Sequence, residues 1–247
     1  MLVLALPIWH GARTGQRKVF KRVKKFSVWH NASMSAAILF GGLCMPGALS
    51  SEARASTMAS PDERTRMKDA LVNDAAIPTI APQGYDVTIV VFSDYQCPYC
   101  RKLHGDLKQL LATDRKVRVV YRDWPIFGGA SREAARAAMA SRYQGKYAAF
   151  NDALMSGPVK LDQADIRQAA TRAGVDWARL QADLARNQPV IDTALRKTNQ
   201  LAEMIGLTGT PGLVIGDYLI PGAIDAATLR GTVQKARQSA RTANTRR

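Results

Sequence analysis

The chain has 247 residues, 47% of them apolar and 22% charged, which is enough apolar material for a packed core and excludes a disordered chain. Its formal charge is +15, but residues 1–55 hold eight Lys or Arg against the single acid Glu52 and so carry +7 of it. The rest is ordinary for a solvated surface, so no nucleic-acid partner is expected.

Taken in chain order, the first segment runs basic, apolar, small. A basic run from Arg17 to Lys25 precedes the apolar stretch 36–45, followed by Pro46, Gly47 and then Ala53-Arg54-Ala55. This is the pattern of a secretory signal peptide over 1–55, with cleavage expected near Ala55 and an uncleaved anchor as the alternative. The apolar stretch falls short of the ~20 residues of a membrane span. Leu43 before Cys44 argues against lipoprotein processing, and no Arg-Arg pair precedes the run. The expected location is periplasmic or secreted, where disulfides persist.

Residues 56–82 read as an irregular N-terminal extension, with a short helix around Glu63–Val72. From 83 to 240 one domain is expected. Val87–Phe92 is a β-branched and aromatic run, the mark of a strand buried on both faces. Asp94-Tyr-Gln-Cys-Pro-Tyr-Cys100 follows, and then Leu103, Leu107, Leu110 and Leu111 at helical spacing. Val117–Tyr121 reads as a second strand, so strand, helix and strand form a βαβ unit with parallel pairing. Helical periodicity then dominates from about 130 to 205, in stretches at 131–143, 147–155, 163–173, 177–184 and 190–205. Gly157-Pro158, Gly174 and Pro189 separate several of them. Strands return at Gly212–Ile215 and Tyr218–Ile220, joined by Gly216-Asp217 as a hairpin. A helix over Ala226–Ala240 closes the domain, and the basic tail 241–247 is expected to be disordered. The fold class is α/β: a central mixed sheet from βαβ and ββα halves, with an inserted all-helical subdomain.

Once residues 1–55 are removed, two cysteines remain, Cys97 and Cys100. A ring this small removes little chain entropy, so the pair has chemical rather than stapling value. At the start of a helix the two sulfurs lie within one turn, close enough to bond. Cys97 sits where unpaired N–H groups and the helix dipole favour a thiolate, the attacking species in disulfide exchange. Cys100, one turn in, is shielded and suited to resolve a mixed disulfide. Pro98 fits a first helical position and limits the backbone of the turn. A zinc site would need a second pair of ligands, and His104 is the one histidine outside the leader, so no metal is expected. His104 reads as a packed or solvated helix residue, and Asp94 as a loop acid accepting backbone hydrogen bonds or as a proton acceptor. Gly209-Thr210-Pro211-Gly212 marks a tight turn into a short strand.

Together Asp94-Tyr-Gln-Cys-Pro-Tyr-Cys-Arg101, Gly209-Thr-Pro211 and Ile220-Pro-Gly-Ala223 resemble the DsbA-like family of secreted thiol–disulfide oxidoreductases, over roughly 83–240. The resemblance implies a thioredoxin-like fold and a cis peptide between Thr210 and Pro211 that faces the cysteines. It makes Cys97 and Cys100 the redox-active disulfide, nucleophile and resolving thiol respectively. Pro98 and Tyr99 become the tuning pair, and Thr210 and Pro211 the loop that binds an extended substrate peptide. The sequence departs from the family at Gly212, where a larger residue is expected; a looser substrate loop follows from that. The expected activity is thiol–disulfide interchange on exported proteins, with oxidation favoured over reduction or isomerisation. A thiol-dependent copper chaperone is the reading from another class, and no methionine cluster near Cys97 supports it. No cofactor is expected. The implied partners are cysteine-containing exported proteins and a membrane redox partner, either a quinone-linked oxidase or a reductase. Residues 56–82 are short for an oligomerising stalk, so a monomer is expected.

Overall fold

The run Val87–Ser93 (β3) lies at the centre of a mixed sheet, and its neighbours decide where the cysteines go. The computed structural model describes residues 61–245 and the backbone of the pair Lys24–Lys25 (β1). The rest of the expected signal peptide, with His10, His30 and Cys44, lies outside the described residues. β3 pairs in parallel with Val117–Asp123 (β4) and antiparallel with Gly212–Ile215 (β5). Tyr218–Pro221 (β6) pairs with β5, and Thr79–Ile80 (β2), a strand that the sequence did not suggest, pairs with β4. The order across the sheet is β1-β6-β5-β3-β4-β2. The crossover from β3 to β4 is the helix Pro98–Thr113 (α2), so the βαβ and ββα halves meet at β3 as expected.

Alternation along the strands sorts the two faces. Val91 pairs with Tyr121, and both face α2 across a small shared cavity with Leu103. Phe92 pairs with Arg122 on the opposite face, where the helix Pro61–Val72 (α1) packs. Arg122 is fully buried, and its guanidinium donates to the carbonyls of Ala70 and Leu71; Arg118 donates to that of Val72. The last turn of α1 has no basic residue of its own, so two strand arginines satisfy the carbonyls that every helix end leaves open.

The inserted block comprises Gly129–Ser141 (α3), a short turn at 142–144, Tyr147–Met155 (α4), Gln163–Arg172 (α5) and Trp177–Met204 (α6). The alanines of α3 let α6 approach closely, and the Trp124 indole donates to Asn199 of α6 at 2.9 Å. Two helices were expected where α6 runs unbroken through Pro189. Residues 184–190 carry no buried side chain, so the carbonyl that Pro189 leaves unbonded faces solvent, while Leu180 and Ile191 anchor the helix on either side. The final helix, Ala226–Asn244 (α7), is also longer than expected: Arg241–Asn244 are helical rather than part of a disordered tail. Arg237 of α7 holds Asp86, just before β3, at 2.7 Å and Asp114, the C-cap of α2, at 2.6 Å and 2.9 Å. Among the described residues no helix is long and apolar enough to cross a membrane.

Gly212 does not loosen the loop before β5. It pairs with Phe92 on one side and Pro221 on the other. A Cβ at this position would lie 2.4 Å from Cδ1 of the buried Leu207. The missing side chain is the space that Leu207 fills. Gly212→Ala should therefore cost about 1–3 kcal/mol by overpacking. In a Leu207→Ala background the same change should cost close to nothing, which a double-mutant cycle of denaturation free energies would read as coupling.

Asp123, at the end of β4, is 2% exposed and accepts from the hydroxyls of Tyr95 and Tyr147. Burial raises its carboxyl to about 7, against the lowering effect of the two tyrosines. The fold thus favours the protonated form. That contribution is complete below about pH 4 and is lost as pH rises through about 7. Denaturation midpoints across this range should fall for the wild-type protein and stay flatter for Asp123→Asn, by roughly 2–4 kcal/mol in stability.

Candidate active site

α2 begins at the motif. Cys97 is its N-cap with extended backbone (φ −85°, ψ 116°), Pro98 opens the first turn, and no side chain caps the end. The Cys97 carbonyl accepts from the N–H of Cys100 at 3.1 Å and of Arg101 at 3.2 Å. The N–H groups of Tyr99 and Cys100 in this first turn also act on the Cys97 sulfur. Both cysteines are unbonded thiols, each 2% exposed. The Thr210–Pro211 peptide is cis, and the Cys97 thiol donates to the Thr210 carbonyl at 3.5 Å. The Thr210 hydroxyl is buried without a hydrogen-bond partner of its own, and it lowers both thiols. The structure therefore brings Cys97, Cys100, Thr210 and Pro211 together, with Pro98 shaping the turn. The Tyr99 side chain is 64% exposed; what that residue offers Cys97 is its backbone N–H.

The two thiols are driven apart. A hydrogen bond from the Cys100 thiol, then the Thr210 hydroxyl and the N–H groups of Cys100 and Tyr99, hold Cys97 down at about 6 against the opposing effect of burial. Cys100 is pushed up, first by donating that hydrogen bond and then by its own burial. One sulfur is prepared to attack or leave as an anion, and the other holds its proton.

Polar residues around the motif fix its position. Asp94, 1% exposed, accepts from Gln96 N–H and the Ser131 hydroxyl with Oδ1, and from the N–H groups of Ile126 and Phe127 with Oδ2, at 2.7–3.0 Å. Of its two expected roles, the loop acid is the one that the structure displays. The Gln96 amide donates to the Phe127 carbonyl and to Ser131, and its oxygen accepts from Leu161 N–H. Arg101 donates to the carbonyls of Tyr95, Met155, Gly157 and Pro158. His104 is packed rather than solvated, bonded through Nε2 to Asp152 at 2.9 Å. Among the described residues no group of three or more His, Cys, Asp or Glu is placed to hold a metal ion.

Comparison with known proteins places this geometry among its relatives. The family model of the DSBA-like thioredoxin domain matches residues 88–234. A thioredoxin-like oxidoreductase from Silicibacter pomeroyi is 40% identical, with a TM-score of 0.66 over 69% of this chain and 98% of its own. A periplasmic thioredoxin-like protein from Salmonella enterica serovar Typhimurium is 31% identical, with a TM-score of 0.61 over 70% and 97%. The thiol-disulfide exchange protein alpha-DsbA2 of Wolbachia pipientis is 31% identical, with a TM-score of 0.65 over 69% and 92%. The chain spans about a quarter of the length of the curated relatives it matches; the Na(+)/H(+) antiporter NhaA 3 of Salinispora tropica is 28% identical over 162 residues, 65% of this chain and 24% of that protein. The fold is thus thioredoxin-like, with the helical insertion that the sequence led us to expect.

The unequal thiols can be titrated. The ultraviolet absorbance of the Cys97 thiolate should appear with a midpoint near 6. Cys100→Ala removes the largest lowering influence, so the midpoint should move upward toward the ordinary thiol range of about 8.5; an unmoved midpoint would contradict the assigned cause.

Proposed function

The chain belongs to the DSBA-like thioredoxin family of thiol–disulfide oxidoreductases, and from that membership we propose that it forms disulfides in exported, cysteine-containing proteins through Cys97 and Cys100. The opposed acidities of the two thiols carry the reading. A thiolate held near 6 at Cys97 stabilises the reduced protein, which makes the oxidised protein a stronger oxidant.

The exchange runs in two displacements. A substrate thiolate attacks Cys97 Sγ of the oxidised pair, and the bond to Cys100 breaks with the electron pair leaving on Cys100. A second substrate thiolate then attacks the substrate sulfur of the mixed disulfide. Cys97 departs as the thiolate that its surroundings favour, and the substrate keeps the new disulfide. The reduced pair is then reoxidised by a membrane redox partner, which we take to be a quinone-linked oxidase.

The rim suits an extended, apolar polypeptide. Tyr99, Ile126, Phe127 and Val159 are exposed, on segments that Asp94, Gln96 and Arg101 tie to the motif. Thr210 and Pro211 supply the backbone edge beside Cys97 against which such a peptide would lie. The signal pattern at 1–55 and the periplasmic relative support a periplasmic site of action, with 83–240 as the catalytic domain working as a monomer.

The equilibrium of the pair against graded glutathione buffers tests the direction. A potential on the order of −120 mV is expected for a disulfide donor, whereas one near −270 mV would make the protein a reductant. Cys97→Ala should abolish exchange without unfolding the protein; retained exchange would sink the assignment.

A further inference from the structure

The charge of the last helix has one sign. Residues 226–247 include six Lys or Arg and no Asp or Glu. In α6, by contrast, the signs alternate: Arg179 and Arg186 pair with Asp183, and Arg196 and Lys197 stand between Asp192 and Glu203. Among the described residues of α7, Arg237 alone is ion-paired, and it engages Asp86 and Asp114. Arg230, Lys235 and Arg241 are exposed.

Helix geometry gathers these cations on one side. Leu229, Thr232, Val233 and Ala236 form the buried face of α7. Arg230 and Arg241, about 16 Å apart along the axis, lie on one ridge of the outward face, and Lys235 flanks it. Arg115 and Lys116, both exposed, directly follow the Asp114 that Arg237 holds, and so carry the positive surface past the end of α2. No large apolar side chain of α7 is exposed.

We infer that the outward face of α7, with Arg115 and Lys116, is a docking surface for an anionic lipid bilayer, held by charge and without insertion.

The face is elongated and positive, which complements a plane of phosphate headgroups. Insertion would need an apolar stripe turned outward, and the apolar side of α7 is spent on the sheet. A single-stranded nucleic acid is bound on aromatic platforms, and α7 has no aromatic residue. The hold of Arg237 on Asp114 lies at the C-terminal end of α2, and Cys97 at its N-terminal end, about 24 Å away. Docking therefore leaves the cysteines uncovered and keeps them near a membrane redox partner. That use rests on the exchange reading above; the docking itself does not.

Co-sedimentation of the full chain with vesicles tests this. The protein should bind vesicles of phosphatidylglycerol mixed with phosphatidylcholine and ignore phosphatidylcholine alone. Release is expected at about 1 M salt, where the screening length is about 3 Å. Each cation at such a surface contributes about fivefold, so Arg230→Gln, Lys235→Gln and Arg241→Gln together should weaken binding roughly a hundredfold. Arg167→Gln, Arg186→Gln and Arg196→Gln lower the net charge equally on the inserted helices and should leave binding unchanged. If the α7 triple variant fails to fold, the three single variants read the fivefold steps. Absent binding, equal weakening by both triple variants, or binding that survives high salt would overturn the inference. So would tighter binding of an oligonucleotide that the α7 changes abolish, which would assign the face to nucleic acid. Exchange with a soluble disulfide should be unchanged in both triple variants. A wild-type protein that binds vesicles but exchanges no disulfide would overturn the exchange reading alone.

Discussion

The buried carboxylate of Asp94 is the constraint on which the arrangement of the site depends. Leaving such a charge in the interior is costly unless donors converge on it, and four do, two from the loop after β4, one from α3 and one from the motif itself. The carboxylate therefore ties the end of β3 to the start of the inserted helices before either cysteine is considered. Gln96 extends the tie to Leu161, and Arg101 closes it on the carbonyls at 155–158. The helical block is thus part of the frame that holds Cys97 at the mouth of α2.

Given that frame, the asymmetry of the sulfurs follows from one turn of helix. Cys97 meets the N–H groups of Tyr99 and Cys100 and the Thr210 hydroxyl, while Cys100, three residues on, meets Val91, Leu103 and Tyr121 across a cavity with almost no polar surface. The same element supplies the anion site and, a turn later, the buried thiol. Neither needs an external charged residue, which is why a Pro-Tyr pair with its ring in solvent suffices at 98–99.

Much of this was legible in the sequence because it is local. The β-branched run 87–92, the leucines after Cys100, Pro98 at a first helical position and Gly216-Asp217 between short strands are each encoded within a few residues, and each is found where expected. What could not be read depends on partners distant in sequence. Arg122 lies in a strand, and nothing near it shows that it caps a helix some fifty residues earlier. Gly212 looks like a source of slack until Leu207 is seen in the space beside it. Pro189 looks like a helix end, yet it falls on an exposed turn between two buried anchors. Gln96 and Arg101 flank the motif as ordinary polar residues, and only the fold reveals the carbonyls and amides they hold. His104 could be placed on the helix but not beside a cavity shared with Cys100.

Arg237 has a consequence for how the chain is made. Its guanidinium bridges Asp86 and Asp114, 151 and 123 residues earlier, at the two ends of the first βα step. During synthesis both carboxylates emerge well before the guanidinium that joins them, which follows Asp114 by 123 residues. The βα step that bears the cysteines thus gains this latch only once α7 has emerged.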